Sequence, residues 1–121
     1  MEETFKVLII DDEKDICYLL SRLLKQKDIH AEYVCSLTEA KSYITLKKPM
    51  IIFLDNHLPD GLGVDFIRQI KIQLPYCKII MITAYDTTLD RDKAFKEGVD
   101  HFIGKPFSKE TIFKIIETSG R

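Results

Sequence analysis

Five polar residues have types and positions that could together carry a group transfer: Asp11, Asp12, Asp55, Thr83 and Lys105. Each stands at the end of an apolar run of strand length. The clearest case is Ile51-Ile52-Phe53-Leu54, which ends in Asp55 and is followed by Asn56-His57-Leu58-Pro59-Asp60-Gly61, whose Pro and Gly stop the strand. A carboxylate at the tip of a buried strand is costly unless a charged or hydrogen-bonding group meets it. Three carboxylates brought close together repel one another and hold their protons unless a cation neutralises them. An all-oxygen donor set with no His or Cys cluster selects a hard divalent ion, and a few carboxylates plus waters describe Mg²⁺ better than a full Ca²⁺ cage. Asp55 stands apart from the Asp11-Asp12 pair, and carboxylates carry phosphoryl groups as aspartyl-phosphates. The equatorial oxygens of a phosphoryl group arriving there would be met by the metal, the Thr83 hydroxyl and the Lys105 ammonium.

These residues need a scaffold that brings distant positions to one place. Phe5 to Ile10 reads as a strand covered on both faces, ending at Asp11-Asp12-Glu13. Ile16, Leu19, Leu20, Leu23 and Leu24 recur at helical spacing and predict a helix from about Lys14 to Gln26. Glu13 reads as an acidic residue favoured by that helix's dipole. Asp28 to His30 is a turn, and Ala31 to Val34 a short strand. Ser36-Leu37-Thr38-Glu39 is a capping box opening a helix with Leu37, Ala40 and Ile44 inward. Met50 to Leu54 is the central strand and Asp55 to Leu62 its loop. A helix from about Gly63 carries Phe66, Ile67, Ile70 and Leu74 until Pro75 ends it. Lys78 to Ile82 is a strand ending at Thr83-Ala84-Tyr85. Thr87 to Glu97 is a weakly amphipathic helix anchored by Leu89, Ala94 and Phe95, with Gly98 as its C-cap, and is expected to be the least well anchored. His101 to Gly104 is the last strand, and Ser108 caps a final helix with Ile112, Ile115 and Ile116 inward.

Strands alternating with helices at this spacing mean βαβ units, and right-handed crossovers give an α/β fold with a parallel sheet and helices on both faces. All five polar positions then fall at the carboxyl edge of the sheet, where open α/β folds bind ligands.

With 121 residues, 45% of them hydrophobic, the chain is one domain, residues 1–121, with material for a full core. Its 18 Lys+Arg against 19 Asp+Glu leave no basic excess for nucleic acid or an anionic membrane. The three cysteines, Cys17, Cys35 and Cys77, are odd in number and widely spaced. They read as small core hydrophobes in a reducing compartment. The N-terminus lacks the form of a signal peptide and no apolar run approaches membrane-spanning length, so a soluble cytoplasmic protein is expected.

The ordered set Asp11-Asp12, Asp55, Leu58-Pro59-Asp60-Gly61, Thr83-Ala84 and Lys105-Pro106-Phe107 resembles the receiver domain of two-component response regulators over essentially the whole chain. The resemblance implies a flavodoxin-like (βα)5 three-layer sandwich with strand order 2-1-3-4-5. It implies that Asp55 accepts a phosphoryl group from a phosphohistidine on a sensor histidine kinase or histidine phosphotransfer protein. Asp12 and Asp55 would ligate Mg²⁺ through their side chains and His57 through its backbone carbonyl, while Asp11 would act mostly through a metal-bound water. Thr83 and Lys105 would contact the phosphoryl oxygens. Phe102 occupies the aromatic switch position, expected to turn inward when Thr83 is drawn toward the phosphoryl group, and Lys105-Pro106 would be cis. The positions of His57 and Tyr85 are those at which the family tunes dephosphorylation. The expected output is an effector domain or protein docking on the face of the fourth helix, fifth strand and fifth helix, with a second copy of the chain as another partner. Such a protein is a switch rather than an enzyme, catalysing only its own phosphoryl transfer and dephosphorylation. The chain stops at Gly120-Arg121, just after the final helix, which leaves open a stand-alone receiver and one domain of a longer protein.

Three rivals stand beside this reading. A flavin carrier on the same fold needs a hydroxyl- and glycine-rich first loop, where this chain has Asp11-Asp12-Glu13. An aspartyl-phosphate phosphohydrolase places a second Asp two residues after the nucleophile, where this chain has His57. A degenerate receiver acting as a phosphorylation-independent interaction module would have no use for an intact site.

Overall fold

The computed structural model describes residues 6–84 and 87–119. Its elements follow in strict alternation: β1 (Val7–Ile10), α1 (Lys14–Lys25), β2 (Ala31–Val34), α2 (Leu37–Lys47), β3 (Ile51–Asp55), α3 (Ile67–Gln73), β4 (Lys78–Thr83), α4 (Thr88–Glu97), β5 (His101–Gly104) and α5 (Lys109–Thr118). Five strands form one sheet in the order β2-β1-β3-β4-β5, and every neighbouring pair is parallel. This is the doubly wound arrangement that the resemblance implied.

Side-chain alternation along the strands divides the core in two. Val7, Ile9, Ile51, Phe53, Ile80 and Ile82 face α1 and α5 and pack with Leu20, Leu24, Ile112 and Ile116. Leu8, Ile10, Ile52, Leu54, Ile79 and Met81 face the other way, toward Ala40, Ile44, Ile67, Ile70 and Ala94 of α2, α3 and α4. Both faces of β1 and β3 are buried along their whole length. That is why these strands read as unbroken apolar runs rather than alternating ones.

Several expectations differ in detail. Leu19 is exposed and Cys17 takes the inward place in α1, because the buried stripe is centred on Cys17, Leu20 and Leu24. Cys17 and Cys77 are buried as expected, but Cys35 is half-exposed at the end of β2. The helix expected from Gly63 begins instead as a 3₁₀ turn over Gly63–Phe66 and becomes α-helical at Ile67. Its start is fixed from outside: Gly63 N donates to Asn56 O at 2.8 Å and Val64 N to Asn56 Oδ1 at 2.9 Å. The loop after β3 also contains a two-residue antiparallel ladder, His57–Leu58 with Gly61–Leu62. In α4 the expected anchors Leu89 and Phe95 point outward, Leu89 at 79% exposure, and Ala94 is its buried apolar residue. Phe5, placed at the head of the first strand, and Tyr85 lie outside the described residues.

Gly63 is required by close approach rather than by its backbone angle. A Cβ there would collide with the Asp55 carbonyl oxygen and lie 3.0 Å from Leu54 Cγ. Since the obstacle is backbone of the strand that carries the site, relief must come from moving β3 or the 3₁₀ turn. Gly63→Ala is therefore expected to lower stability by roughly 2–3 kcal/mol, read as a lower midpoint in urea unfolding.

Candidate functional site

The carboxyl ends of β1, β3, β4 and β5 bring the predicted residues to one edge of the sheet. Asp11 follows Ile10, its N–H donating to Val34 O at 3.1 Å, so the pairing of β1 with β2 fixes its backbone. Its Oδ1 accepts from Glu13 N at 2.9 Å, and Cys17 Sγ donates to its carbonyl at 3.3 Å. Asp55 is the last residue of β3, paired in register with Ile82, and is 5% exposed. Thr83 ends β4 fully buried, and its carbonyl accepts from Lys105 N at 2.8 Å, joining the ends of β4 and β5. The Lys105-Pro106 peptide is cis.

Asp11, Asp12 and Asp55 each offer a carboxylate oxygen, and these atoms lie within 4.8 Å of one another. Lys105 closes the cluster, with Nζ 2.7 Å from Glu13 Oε1, 3.0 Å from Asp11 Oδ2 and 3.6 Å from Asp55 Oδ1, and its side chain is 9% exposed. Burial alone would pull the Lys105 ammonium down. The hydrogen bonds to Glu13 and Asp11 and the charge of Asp55 outweigh that and hold it above its ordinary value. Desolvation raises Asp11, against the Glu13 amide and Lys105. Asp55 is pushed up to about 6, first by burial and then by the charge of Asp11, with Lys105 opposing. One ammonium thus under-compensates the carboxylates around it.

That imbalance, with donors that are all oxygen, is what a hard divalent cation would correct, so the residues fit Mg²⁺. Three carboxylates of which two are buried supply part of an octahedral shell and leave places for water. The exposure of Asp12, beside the buried Asp11 and Asp55, gives an ion a way in.

Three residues matter here whose sequence signals were weak. Glu13, expected only to favour a helix dipole, is the nearest carboxylate to Lys105. Asn56 is buried, and its side chain and carbonyl clamp the turn that follows the site. Asp60 reaches back to α2: its carboxylate accepts from Leu37 N at 2.8 Å and from Thr38 N and Oγ1 at 2.9 and 2.8 Å, beside the local Ser36 cap. These bonds, that of Leu37 first, hold the Asp60 carboxyl down at about 2. A cap supplied from 23 residues away leaves no local pattern to read. His57 is exposed in the short ladder. Phe102 is buried, at 5% exposure.

With this geometry in hand, comparison with known proteins identifies the class. The response regulator receiver domain family matches residues 7–117, and the chain belongs to that family. The response regulator protein PilR of Pseudomonas aeruginosa is 30% identical over 116 residues, which are 96% of this chain and 26% of that protein. The chain therefore spans about a quarter of this relative's length. Among solved structures, the beryllofluoride-activated NtrC4 receiver domain dimer is 35% identical with a TM-score of 0.91, covering 96% of each chain. A two-component response regulator from Clostridium difficile is 29% identical with a TM-score of 0.91, over 97% of this chain and 95% of that one. Among the described residues, no helix is long and apolar enough to cross a membrane.

Two outcomes follow from the electrostatics. Because the folded state holds the Asp55 proton more tightly than the unfolded chain does, stability falls as pH rises from about 4 to about 6 and stays reduced above that. Asp55→Asn is expected to raise the stability of the metal-free protein at pH 7 by roughly 1–3 kcal/mol, with no gain below about pH 4, as read by urea unfolding across pH. Adding Mg²⁺ is expected to raise the melting temperature of the unaltered chain and to raise that of Asp12→Asn much less, measured by calorimetry at matched ionic strength.

Proposed function

We propose that this chain is a phosphorylation-operated switch in a two-component phosphorelay, with Asp55 as phosphoacceptor. The observation that carries the reading is the meeting, at one sheet edge, of a buried carboxylate, two further carboxylates and a buried ammonium 3.6 Å from the acceptor oxygen. An Asp55 oxygen attacks the phosphorus of a phosphohistidine on a sensor histidine kinase or histidine phosphotransfer protein. The P–O bond forms as the P–N bond breaks, and the electron pair returns to the imidazole of the donor. Asp12 and Asp55 would hold Mg²⁺ through their side chains and His57 through its backbone carbonyl, with Asp11 acting through a water. When bound, the ion supplies positive charge to the phosphoryl oxygens and lets the carboxylates and the incoming group share one site. Lys105 neutralises a phosphoryl oxygen from the other side, and the Thr83 hydroxyl donates to another.

The switching logic is electrostatic. A doubly charged group in place of a single carboxylate draws the buried Thr83 hydroxyl toward it, and the end of β4 follows into the connection with α4. The responding face is α4, β5 and α5, which offers itself to an effector domain or protein. The NtrC4 receiver is a dimer in its beryllofluoride-activated form, which supports association with a second copy as one output of this chain. The chain acts on its own phosphoryl group rather than turning over a separate substrate, in a cytoplasmic setting. His57, exposed beside the acceptor, and Tyr85 influence how water reaches the acyl phosphate.

Incubation with acetyl phosphate and Mg²⁺, followed by intact-protein mass spectrometry, is expected to show one phosphoryl group on the unaltered chain and none on Asp55→Asn. Normal labelling of that variant would reject Asp55 as the acceptor. Thr83→Ala is expected to keep labelling while losing the accompanying change in the amide spectrum of α4.

A further inference from the structure

Helix α4 is attached to the body of the protein in an unusual way. It buries Ala94 against the core, while Leu89 and Phe95 face outward. Two ion pairs tie it to the neighbouring segment, Lys93 with Asp65 at 3.2 Å and Glu97 with Arg68 at 2.8 Å. Lys93, Asp65 and Arg68 are solvent-exposed, and exposed ion pairs hold a helix weakly. Arg91, one turn before Ala94, makes a contact of a different kind. Its Cζ lies 4.9 Å from the centre of the Phe102 ring, which is almost fully covered. A guanidinium over an aromatic face at this range is attracted by the ring's quadrupole, and more strongly where water is excluded. The planar group covers the ring as well as charging it.

Phe102 pairs in register with Met81, two residues before Thr83, so its ring sits on the strand pair that ends at the site. We infer that Arg91 is a positioning residue for the switch: its guanidinium holds the Phe102 ring in the buried position and makes the front of α4 follow that ring. The link to phosphorylation rests on the function proposed above, whereas the hold on the ring does not. The role of Arg91 is to couple and not to catalyse.

The test uses the 19F resonance of fluorinated Phe102, assigned with Phe102→Leu, together with hydrogen exchange of the α4 amides, in Arg91→Ala, Arg91→Lys and Arg91→Leu. In Arg91→Ala the ring is expected to gain solvent contact, read as a larger H₂O/D₂O isotope shift, and α4 exchange to quicken about fivefold. Arg91→Lys, which keeps a cation but not the planar cover, should fall between the unaltered protein and Arg91→Ala. Arg91→Leu, which keeps apolar cover without charge, should leave the ring largely covered but quicken α4 exchange as Arg91→Ala does. A leucine variant indistinguishable from the unaltered chain, or an alanine variant with unchanged ring and exchange, would overturn the inference. Acetyl phosphate labelling of Asp55 should be the same in all four proteins, with the response of the α4 amides lost in Arg91→Ala. Absent labelling of the unaltered chain would reject the proposed function, while the ring measurement in unphosphorylated protein would still decide the role of Arg91.

Discussion

The ammonium of Lys105 lies almost out of solvent among the carboxylates of Asp11, Glu13 and Asp55. A buried charge is tolerated only when paired, and here the partners come from two other, distant parts of the chain. Lys105 follows β5, Asp55 ends β3, and Asp11 and Glu13 follow β1. The cluster can therefore form only if those strands reach their ends at the same edge, which a parallel sheet with right-handed crossovers ensures. The fold positions the charges, and the charges in turn fix the relative ends of the strands.

The same arrangement divides the protein into a stiff part and a yielding one. β1, β3 and β4 are packed between apolar layers on both faces, and Asn56, Gly63 and the Asp55 carbonyl lock together immediately beyond β3. At the opposite edge of the sheet, Lys71 binds Cys77 O at 2.7 Å and Asp100 Oδ2 at 2.9 Å, while Asp100 also accepts from Ile79 N at 2.9 Å, pinning the starts of β4 and β5 to α3. Against this frame α4 has little buried apolar surface. A helix so attached reorganises at lower cost than the sheet beneath it.

Much of this was legible in the residue order because it depends on local pattern. Two-sided burial makes β1 and β3 continuous apolar runs, the Ser36 and Ser108 caps stand next to the helices they begin, and Gly98 marks the end of α4 through its left-handed backbone, φ +114°. The convergence of Asp11, Asp12, Asp55, Thr83 and Lys105 follows from alternation alone once the strands are placed. What escaped was set by tertiary contact. Leu89 and Phe95 suit an inner helical face, yet α4 turns Ala94 inward, because the close packing over α3 and β5 accepts a small residue there. The 3₁₀ turn at Gly63 depends on Asn56, and Glu13 acquires its partner from 92 residues away. The second pair lies far outside any window that shows periodicity, and the first, eight residues from Asn56 to Val64, follows no period.

The grip of Asp60 on the first turn of α2 has a directional consequence. The segment leaving Asp55 is tethered on one flank to α2 and on the other, through Asn56, to the start of α3, so displacement at Asp55 meets resistance along that route. Mechanical response is steered instead along β4 and β5, where Thr83 and Lys105 share a backbone bond and the next helix is loosely moored. A clasp on α2 thereby stiffens one flank of the site and leaves the flank toward α4 the more yielding of the two.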